Sequence, residues 1–414
     1  MLKLIKSAIV KTKGWYLIYW LASWFYAFFS YGLTAPNLWL NQNQIYVKFQ
    51  QFMWLHLFNN RPLLAIIYGL LIGLLFLSYI LIIKNIKNWS LSLKDKFLLL
   101  IPLIIPLIFS YNALSFDVFN YIFNSRMIVR YSANPHLQTA TNFSFDLWTR
   151  FMHNTHTPAP YGYGWTLLSL IPYLLGLGKF SLTWLSFRLW SALSVLILIW
   201  VIDRLYQLIY HQPLKTSAWC LLFLNPLFLI EIVSNSHNDL WMIIPAMLSF
   251  MIILHPKIKN FKLKILLSAC LMIFSISTKY ASLALAPIWL ILLIKPLKNN
   301  FLKIIRKKFT LIASMLMFLP LLIPRSQQFL PWYLIWSLAW LPLIDSKKWS
   351  RVLLIFSLTS MLRYLPWLLT GEYSSLALTQ QKIITWSALI FIFIDQLVVK
   401  IKSKSNRLKL GRKL

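Results

Sequence analysis

The stretch LLAIIYGLLIGLLFLSYILII, residues 63–83, decides the fold class, because no charged residue interrupts it. About 20 consecutive apolar residues in a helix cross the hydrocarbon core of a bilayer. Similar runs recur from one end of the chain to the other, and of 414 residues 59% are hydrophobic and 12% are charged. Soluble domains carry roughly 45–50% apolar and about 25% charged residues, so we predict an all-α polytopic membrane protein.

Apolar runs of sufficient length predict a bundle of about twelve transmembrane helices. The predicted spans are residues 15–33, 63–83, 97–113, 183–203, 217–233, 240–254, 265–278, 280–295, 309–324, 330–344, 352–370 and 383–399. The apolar stretch Trp165–Leu177 is too short to cross comfortably and follows a Pro/Gly/Tyr-rich segment. We therefore expect it to be re-entrant or to lie along the membrane interface.

The distribution of lysine and arginine predicts the orientation, because cytoplasmic loops hold most basic residues. With twelve spans and both termini in the cytoplasm, 30 of the 41 basic residues fall on the cytoplasmic side. The net charge of +32 thus reflects membrane orientation and lipid contact, and nucleic-acid binding is not expected. The first apolar segment lacks a small-residue cleavage site, which predicts a retained span in a multi-pass protein of the plasma (inner) membrane.

One loop on the predicted outer side is long enough to carry a site. It spans residues 111–164, and the other outer connections are short. We predict a single transmembrane domain over residues 1–399, with a catalytic outer loop at 111–164 that carries short interfacial helices. A basic cytoplasmic tail is expected at 400–414.

The start of this loop carries a polar stripe that ends in a carboxylate. In a helix after Ser115, the 3.6-residue period aligns Asp117, Asn120, Tyr121 and Asn124 on one face. Only nine acidic residues occur in the chain, so each one on the outer side is a candidate base. The alternative is that Asp117 only stabilises the first helical turn through the helix dipole.

A second polar cluster occupies the predicted outer turn from Glu231 to Asp239, between two apolar runs. Polar residues so close to hydrocarbon are costly and mark a cavity or a functional surface. A polar turn that merely ends two helices is the simpler alternative. His237 and Asp239 also resemble a metal pair, but a third ligand at helical spacing is missing, so we predict no metal site.

Three cations lie within or beside apolar segments on the outer side: Arg188, Lys279 and Arg363. An unpaired cation is expensive there, and a phosphate group is one partner that would neutralise it. The alternative is that these side chains extend to lipid headgroups.

Five short motifs in the same order resemble those of GT-C polyprenyl-phosphate-mannose-dependent mannosyltransferases, most closely the bacterial α-1,6-mannosyltransferase branch. The resemblance covers roughly residues 100 to 345. The motifs are Asp117-Val118-Phe119-Asn120-Tyr121 through Arg126 with Asn134-Pro135-His136, Tyr161-Gly162-Tyr163-Gly164-Trp165, Asn225-Pro226 with His237-Asn238-Asp239, Lys279-Tyr280 with Ala286-Pro287, and Pro331-Trp332-Tyr333-Leu334-Ile335-Trp336. The chain departs from the family pattern at Ser125 and Ser236, which replace glycines, at His136, which replaces tyrosine, and at Tyr163, which replaces proline.

The resemblance implies a GT-C fold and a membrane enzyme that moves a hexose, with mannose expected, from a polyprenyl-phosphate donor. The implied acceptor is a lipid or glycan on the non-cytoplasmic face. Asp117 is the implied general base, and Lys279, Arg325 and Arg126 are the predicted contacts of the donor phosphate. The predicted substrate-binding residues are Tyr121, Asn134, Glu231, His237, Asn238, Asp239 and Tyr280. No cofactor is expected beyond the lipid-linked sugar itself.

Two other classes of protein compete with this interpretation. A transporter or a flippase for lipid-linked glycans also has twelve spans with both ends inside, but it predicts two similar halves and glycine-rich broken helices. Only ten glycines occur in the chain. An O-antigen ligase or polymerase is the rival enzyme class, and it would carry its polar loop late in the chain.

Overall fold

The computed structural model is helical and describes residues 1–34, 38–86, 89–294, 304, 308–323, 329–394 and 396. The helices of the first half are α1 (Leu2–Lys11), α2 (Trp15–Ser30), α3 (Gln44–Met53), α4 (Arg61–Asn85), α5 (Leu93–Ile108), α6 (Asp117–Tyr131), α7 (Tyr163–Leu175) and α8 (Phe180–Tyr210). Those of the second half are α9 (Thr216–Phe223), α10 (Pro226–Leu229), α11 (Asp239–Leu254), α12 (Phe261–Thr278), α13 (Ala286–Leu293), α14 (Phe309–Phe318), α15 (Ile335–Leu338), α16 (Lys347–Leu362), α17 (Leu365–Thr370) and α18 (Ser375–Trp386). None of the described residues forms a strand.

Short helical turns connect several of these helices. The 3-10 turns are Tyr31–Leu33, Ala140–Phe143, Leu147–Phe151, Tyr280–Leu285, Leu319–Leu322, Pro331–Leu334 and Leu341–Leu343, and the π-helical turns are Trp54–Phe58 and Ile230–Ser234. The predicted basic tail at 400–414 lies outside the described residues, as does Arg325.

Five described helices are long and apolar enough to cross a membrane, and a bent pair makes a sixth. The helical membrane fold is thereby confirmed, but the number of twelve spans is not. The predicted span 330–344 is a run of short turns, because Pro331 and Pro342 each remove a backbone donor and begin a new turn. The predicted span 280–295 likewise divides into a 3-10 turn and α13, which has Pro287 in its first turn.

The predicted span 217–233 is bent by 55° between α9 and α10. Pro226 cannot donate to the helix ladder, so it begins a new helix, and the Asn225 side chain accepts from the amide of Leu227 at 3.0 Å. A π-helical turn follows and ends at Ser234. This bend places the polar turn 235–238 deep in the protein, where all four residues are buried.

The predicted outer loop, residues 111–164, contains short helices, as the sequence predicted. These are α6 and the 3-10 turns Ala140–Phe143 and Leu147–Phe151, and α7 begins at the end of the loop. Helix α7 has 13 residues, which is too short to span a bilayer, and the re-entrant or interfacial position expected for Trp165–Leu177 stays a prediction. At the start of α7, the backbone lies so close to the end of α12 that no side chain larger than that of glycine fits between them.

Candidate active site

Three segments distant in sequence converge on one polar cluster. They are the start of α6 with Asp117, the turn that carries His237, and the end of α12 with Lys279. The sequence predicted that Asp117 and the His237–Asp239 turn would lie together, and the structure brings them into contact.

His237 lies between two carboxylates. Its Nδ1 is 3.4 Å from Asp117 Oδ2, and its Nε2 is 3.3 Å from Glu231 Oε2. The imidazole is fully buried and stacks on Trp332, with ring centroids 4.1 Å apart. Both distances are those of ion pairs, but neither contact has the geometry of a hydrogen bond. They hold the ring between the two acids.

Glu231 is fixed from behind by two donors. The Tyr364 hydroxyl donates to Oε1 at 2.9 Å, and the Asn235 side-chain amide donates to Oε2 at 2.8 Å. Each carboxylate oxygen therefore has a hydrogen bond, and the side chain is completely buried. This arrangement suits a group that orients His237 better than one that contacts a ligand directly.

Lys279 and Asp239 form the second pair of the cluster. Lys279 Nζ donates to Asp239 Oδ1 at 2.7 Å, and the Trp336 indole N–H donates to the same oxygen. The ammonium group also lies 5.4 Å from the ring centroids of Tyr333 and Trp336. Aromatic faces attract a cation, so they stabilise the position of Lys279.

Exposure separates two members of the cluster from the rest. The Asp117 and Lys279 side chains are 20% and 15% exposed, whereas the side chains of Glu231, His237 and Asp239 have no exposed surface. An incoming molecule therefore meets one carboxylate and one ammonium group, supported by buried partners.

The charges of the cluster follow from these contacts. Burial alone would raise the pKa of Asp117, but contact with His237, with smaller contributions from Lys279 and Tyr161, holds that pKa below its usual value. Burial alone would lower the pKa of His237, but Asp117 and Glu231 raise it to about 9. At neutral pH the imidazole is therefore protonated and Asp117 is ionised.

Several buried polar atoms around the cluster have no hydrogen-bond partner among the residues that the structure describes. They are Asn120 Oδ1, the Tyr121 hydroxyl, Asn235 Oδ1, Ser236 Oγ, Asn238 Nδ2 and Asp239 Oδ2. Buried polar groups are nearly always paired, so such a group of donors and acceptors fits a polyhydroxyl ligand or ordered water. Tyr121 is held edge-on against Tyr161 and Trp165, with centroids 4.8 and 4.9 Å away.

Two glycines bring α7 against α12 beside the cluster. A Cβ atom at Gly162 would lie 1.9 Å from the Ser277 carbonyl oxygen, and one at Gly164 would lie 2.5 Å from the Ser277 hydroxyl. The Gly162 amide donates to the Thr278 carbonyl at 3.2 Å. Only glycine permits this approach, which fixes the residues that precede Lys279.

Other predicted site residues lie elsewhere. Arg126 forms a buried ion pair with Asp146 and lies over the Trp148 ring. Asn134 accepts from the His136 amide at 2.9 Å, as a turn residue does, and Tyr280 is 65% exposed. Among the described residues, no three His, Cys, Asp or Glu side chains are grouped to hold a metal ion.

Four aromatic residues belong to the cluster although the sequence did not single them out as site residues. Trp332, Tyr333 and Trp336 lie in a motif that carried the resemblance, whereas Tyr364 lies outside all of those motifs. A phenol beside an arginine within the apolar run 352–370 is the signal that could have revealed Tyr364.

The apolar helices and the buried ionic cluster define the class of the protein. It is a helical membrane protein with a polar site in which one carboxylate and one ammonium group are partly exposed. The chain belongs to the alpha-(1->6)-mannopyranosyltransferase family, since the model of that family's N-terminal domain matches residues 21–295, well over half of the chain. It is therefore a glycosyltransferase of a mannosyltransferase family. Neither a curated protein nor a solved structure matches the chain.

The matched region contains Asp117, Glu231, His237, Asp239 and Lys279. The aromatic residues that pack on this cluster, from Trp332 to Tyr364, follow the matched region. The ionic groups and the walls of the site thus come from different parts of the chain.

Proposed function

We propose that the protein transfers a hexose, in the first place mannose, from a polyprenyl-phosphate carrier to a lipid or glycan acceptor. Membership of the mannosyltransferase family supports mannose as the sugar that is transferred. The observation that carries the proposal is the partly exposed pair of Asp117 and Lys279 on one buried network. In such a pair, the carboxylate can act as a base toward the acceptor hydroxyl, and the ammonium group can stabilise the leaving phosphate.

Asp117 is the proposed general base. The acceptor hydroxyl oxygen attacks the anomeric carbon of the sugar, and its proton passes to the Asp117 carboxylate. His237 cannot take this proton, because it is already protonated between two acids. Its proposed role is to orient Asp117, with Glu231 holding the ring from the other side.

Lys279 is the proposed partner of the leaving group. The bond between the anomeric carbon and the phosphate oxygen breaks as the new glycosidic bond forms, and the electron pair leaves with the polyprenyl phosphate. An ammonium group beside this oxygen stabilises the developing charge. Arg325 remains a second proposed phosphate contact, whereas Arg126 is committed to Asp146 and is not part of the proposal.

The proposed sugar-binding groups are buried polar atoms that have no hydrogen-bond partner within the described ranges. Asn120 and Tyr121 supply them from α6, and Ser236, Asn238 and Asp239 supply them from the turn and the start of α11. Hydroxyl groups both donate and accept, so they match this mixture of amide, hydroxyl and carboxylate atoms.

We also propose that the site faces the non-cytoplasmic side of the plasma membrane, with both termini in the cytoplasm. The support is the charge distribution, because the predicted twelve-span topology puts 30 of the 41 basic residues on the opposite side from residues 111–164. With the sugar already carried on a lipid, the reaction needs no nucleotide on that side.

The test is transfer by the purified protein in liposomes with membrane lipid extract as acceptor. Labelled polyprenyl-phosphate-mannose, polyprenyl-phosphate-glucose and nucleotide-linked mannose are supplied in parallel. We expect label to move from the mannosyl lipid, and Glu372→Gln, an exposed carboxylate away from the cluster, serves as the matched control. Transfer from the nucleotide sugar alone, or movement of intact donor lipid between leaflets without transfer, would overturn the proposal.

A further inference from the structure

A fully buried arginine lies near the candidate site without touching the proposed reactants. Arg188, on α8, has no exposed surface. Among the described residues, no carboxylate is found at ion-pair distance from it. A buried guanidinium is costly unless its N–H groups are bonded, so its partners explain why it is retained.

The partners of Arg188 are main-chain carbonyls and one hydroxyl at the ends of two helical segments. Nε donates to the Ile108 carbonyl at 3.1 Å, and Nη2 donates to the Ser110 carbonyl and hydroxyl at 2.6 and 2.7 Å. Nη2 also donates to the Leu107 carbonyl, and Nη1 to the Ser234 carbonyl. Carbonyls at a helix end carry partial negative charge, which substitutes for a carboxylate.

A second set of contacts joins the same two segments. The Ser110 and Ser234 hydroxyls lie 2.7 Å apart, and the Asn112 amide donates to the Ser234 carbonyl at 3.1 Å. Trp184, one turn before Arg188 on α8, donates to Asn112 Oδ1 at 2.6 Å. The guanidinium lies 5.1 Å from the Trp184 ring centroid. Helix α8 thus presents one rigid surface to both segments.

These segments lead directly to the proposed base and its imidazole partner. The chain runs from Ser110 into Asp117 and from Ser234 into His237. We infer that Arg188 is a positioning residue, which fixes the two segments against each other and thereby sets the contact between Asp117 and His237. The expected effect of Arg188 on kcat rests on the proposed function. Its effect on the contact between Asp117 and His237 does not depend on that function.

The first test replaces Arg188 by lysine. Lysine retains the charge but has three donors on one atom instead of the planar fork, so it cannot form all five hydrogen bonds that Arg188 makes to the two segments. We expect kcat per folded molecule to fall about 10-fold or more, because small misplacements of reacting groups have large effects. The donor KM should change less than about twofold, since Arg188 does not contact the proposed sugar-binding atoms.

Lys96→Gln is the matched control, because Lys96 is also a buried cation that donates to a main-chain carbonyl, that of Leu214, but has no role in the proposed reaction. We expect this variant to lose stability with an unchanged kcat per folded molecule. If Arg188→Lys behaves in the same way, Arg188 only supports the fold and the inference is overturned. Should Arg188→Lys fail to fold, Trp184→Phe removes the donor to Asn112 but keeps the ring, and the same division between kcat and KM is expected at smaller size.

The second test measures the titration of His237 by NMR in protein with labelled histidine, using His237→Gln to assign the signal. The groups that face this ring are Asp117, Glu231 and the Trp332 face, with Lys279 farther away. We expect the midpoint to fall in Arg188→Lys, because the variant loosens contact with Asp117. An unchanged midpoint would overturn the inference. A lowered midpoint in a protein whose wild type transfers no sugar would reject the proposed function alone.

Discussion

Two buried ionic clusters differ in how exposed they are and in how many of their polar atoms are hydrogen-bonded. In the segment between α6 and α7, Asp146 accepts from Arg126 and from the Tyr131 hydroxyl on one oxygen, and from the Trp148 amide on the other. The stacked Trp148 ring covers the guanidinium, and the pair is nearly inaccessible.

The cluster around His237 is built differently. Two of its charged groups, Asp117 and Lys279, are partly exposed, and Asn238 Nδ2 and Asp239 Oδ2 have no hydrogen-bond partner in the described part of the chain. A buried ion pair whose carboxylate oxygens are both hydrogen-bonded stabilises the fold, whereas a cluster with accessible charge and free bonding capacity is suited to binding and chemistry. The comparison therefore separates a structural ion pair from a candidate active site.

Asp117→Asn should have the largest effect on activity. The amide keeps the size of the side chain but cannot take a proton, so transfer from the mannosyl lipid should fall by about 10²–10⁴-fold. The measurement is initial transfer rate per folded molecule, judged by a single symmetric gel-filtration peak. Glu372→Gln should remain within about twofold of wild type, and near-normal turnover of Asp117→Asn would remove Asp117 as the base.

Lys279→Ala should have the next largest effect, mainly through the donor. Loss of the cation beside the leaving phosphate should reduce kcat/KM for the donor by about 10–100-fold. Because this change also leaves Asp239 without its ion-pair partner, the double variant Lys279→Ala/Asp239→Asn is needed for comparison. An equal loss for donor and acceptor, or full recovery in the double variant, would contradict a phosphate contact.

The protonated His237 predicts a dependence of stability on pH. Its pKa is raised from the ordinary 6.5 to about 9, so the stabilisation is complete below pH 6.5 and is lost as pH rises through about 9. Thermal unfolding of wild type should therefore shift to lower temperature between pH 7 and 9.5. His237→Gln should lack this part of the change, and parallel curves for the two proteins would mean that His237 is not protonated in the folded state.

Local spacing predicted the parts of the site that lie on one helix or one turn. The polar face of α6 and the turn before Asp239 were both evident, because helical periodicity and polar residues between apolar runs have direct structural consequences. Their contact was also expected, since the predicted topology put both on the outer side. The roles of these residues remain proposals.

Long-range pairing could not be predicted in the same way. The ion pair of Arg126 with Asp146 was not predicted, because it depends on how the intervening loop folds back. Tyr364 is far from Glu231 in sequence, and no local pattern indicates their hydrogen bond. The number of twelve spans is not confirmed for a related reason, because composition does not show where proline divides an apolar run into short turns.

The structural ion pair predicts that Arg126→Met will affect stability and leave activity nearly unchanged. Removal of one partner from a buried pair costs about 3 kcal/mol or more, because the other charge stays buried. We expect a lower unfolding temperature and faster proteolysis of residues 132–160, with kcat per folded molecule within about twofold of wild type. A selective rise in donor KM would instead return Arg126 to the phosphate site.

The smallest expected effect concerns Ser236, which adopts a left-handed backbone conformation with φ of 58°. Residues with a Cβ atom are disfavoured there by roughly 1–2 kcal/mol, which explains the glycine that the family pattern carries at this position. Ser236→Ala removes the unpartnered hydroxyl and keeps the strain, whereas Ser236→Gly removes both. Glycine should therefore be more stable than alanine by about 1 kcal/mol, measured by thermal unfolding, while both variants lose the same small part of donor affinity. If Ser236→Ala were as stable as Ser236→Gly, the left-handed conformation would carry no energetic cost. The presence of serine at this position would then have to be explained by its hydroxyl group alone.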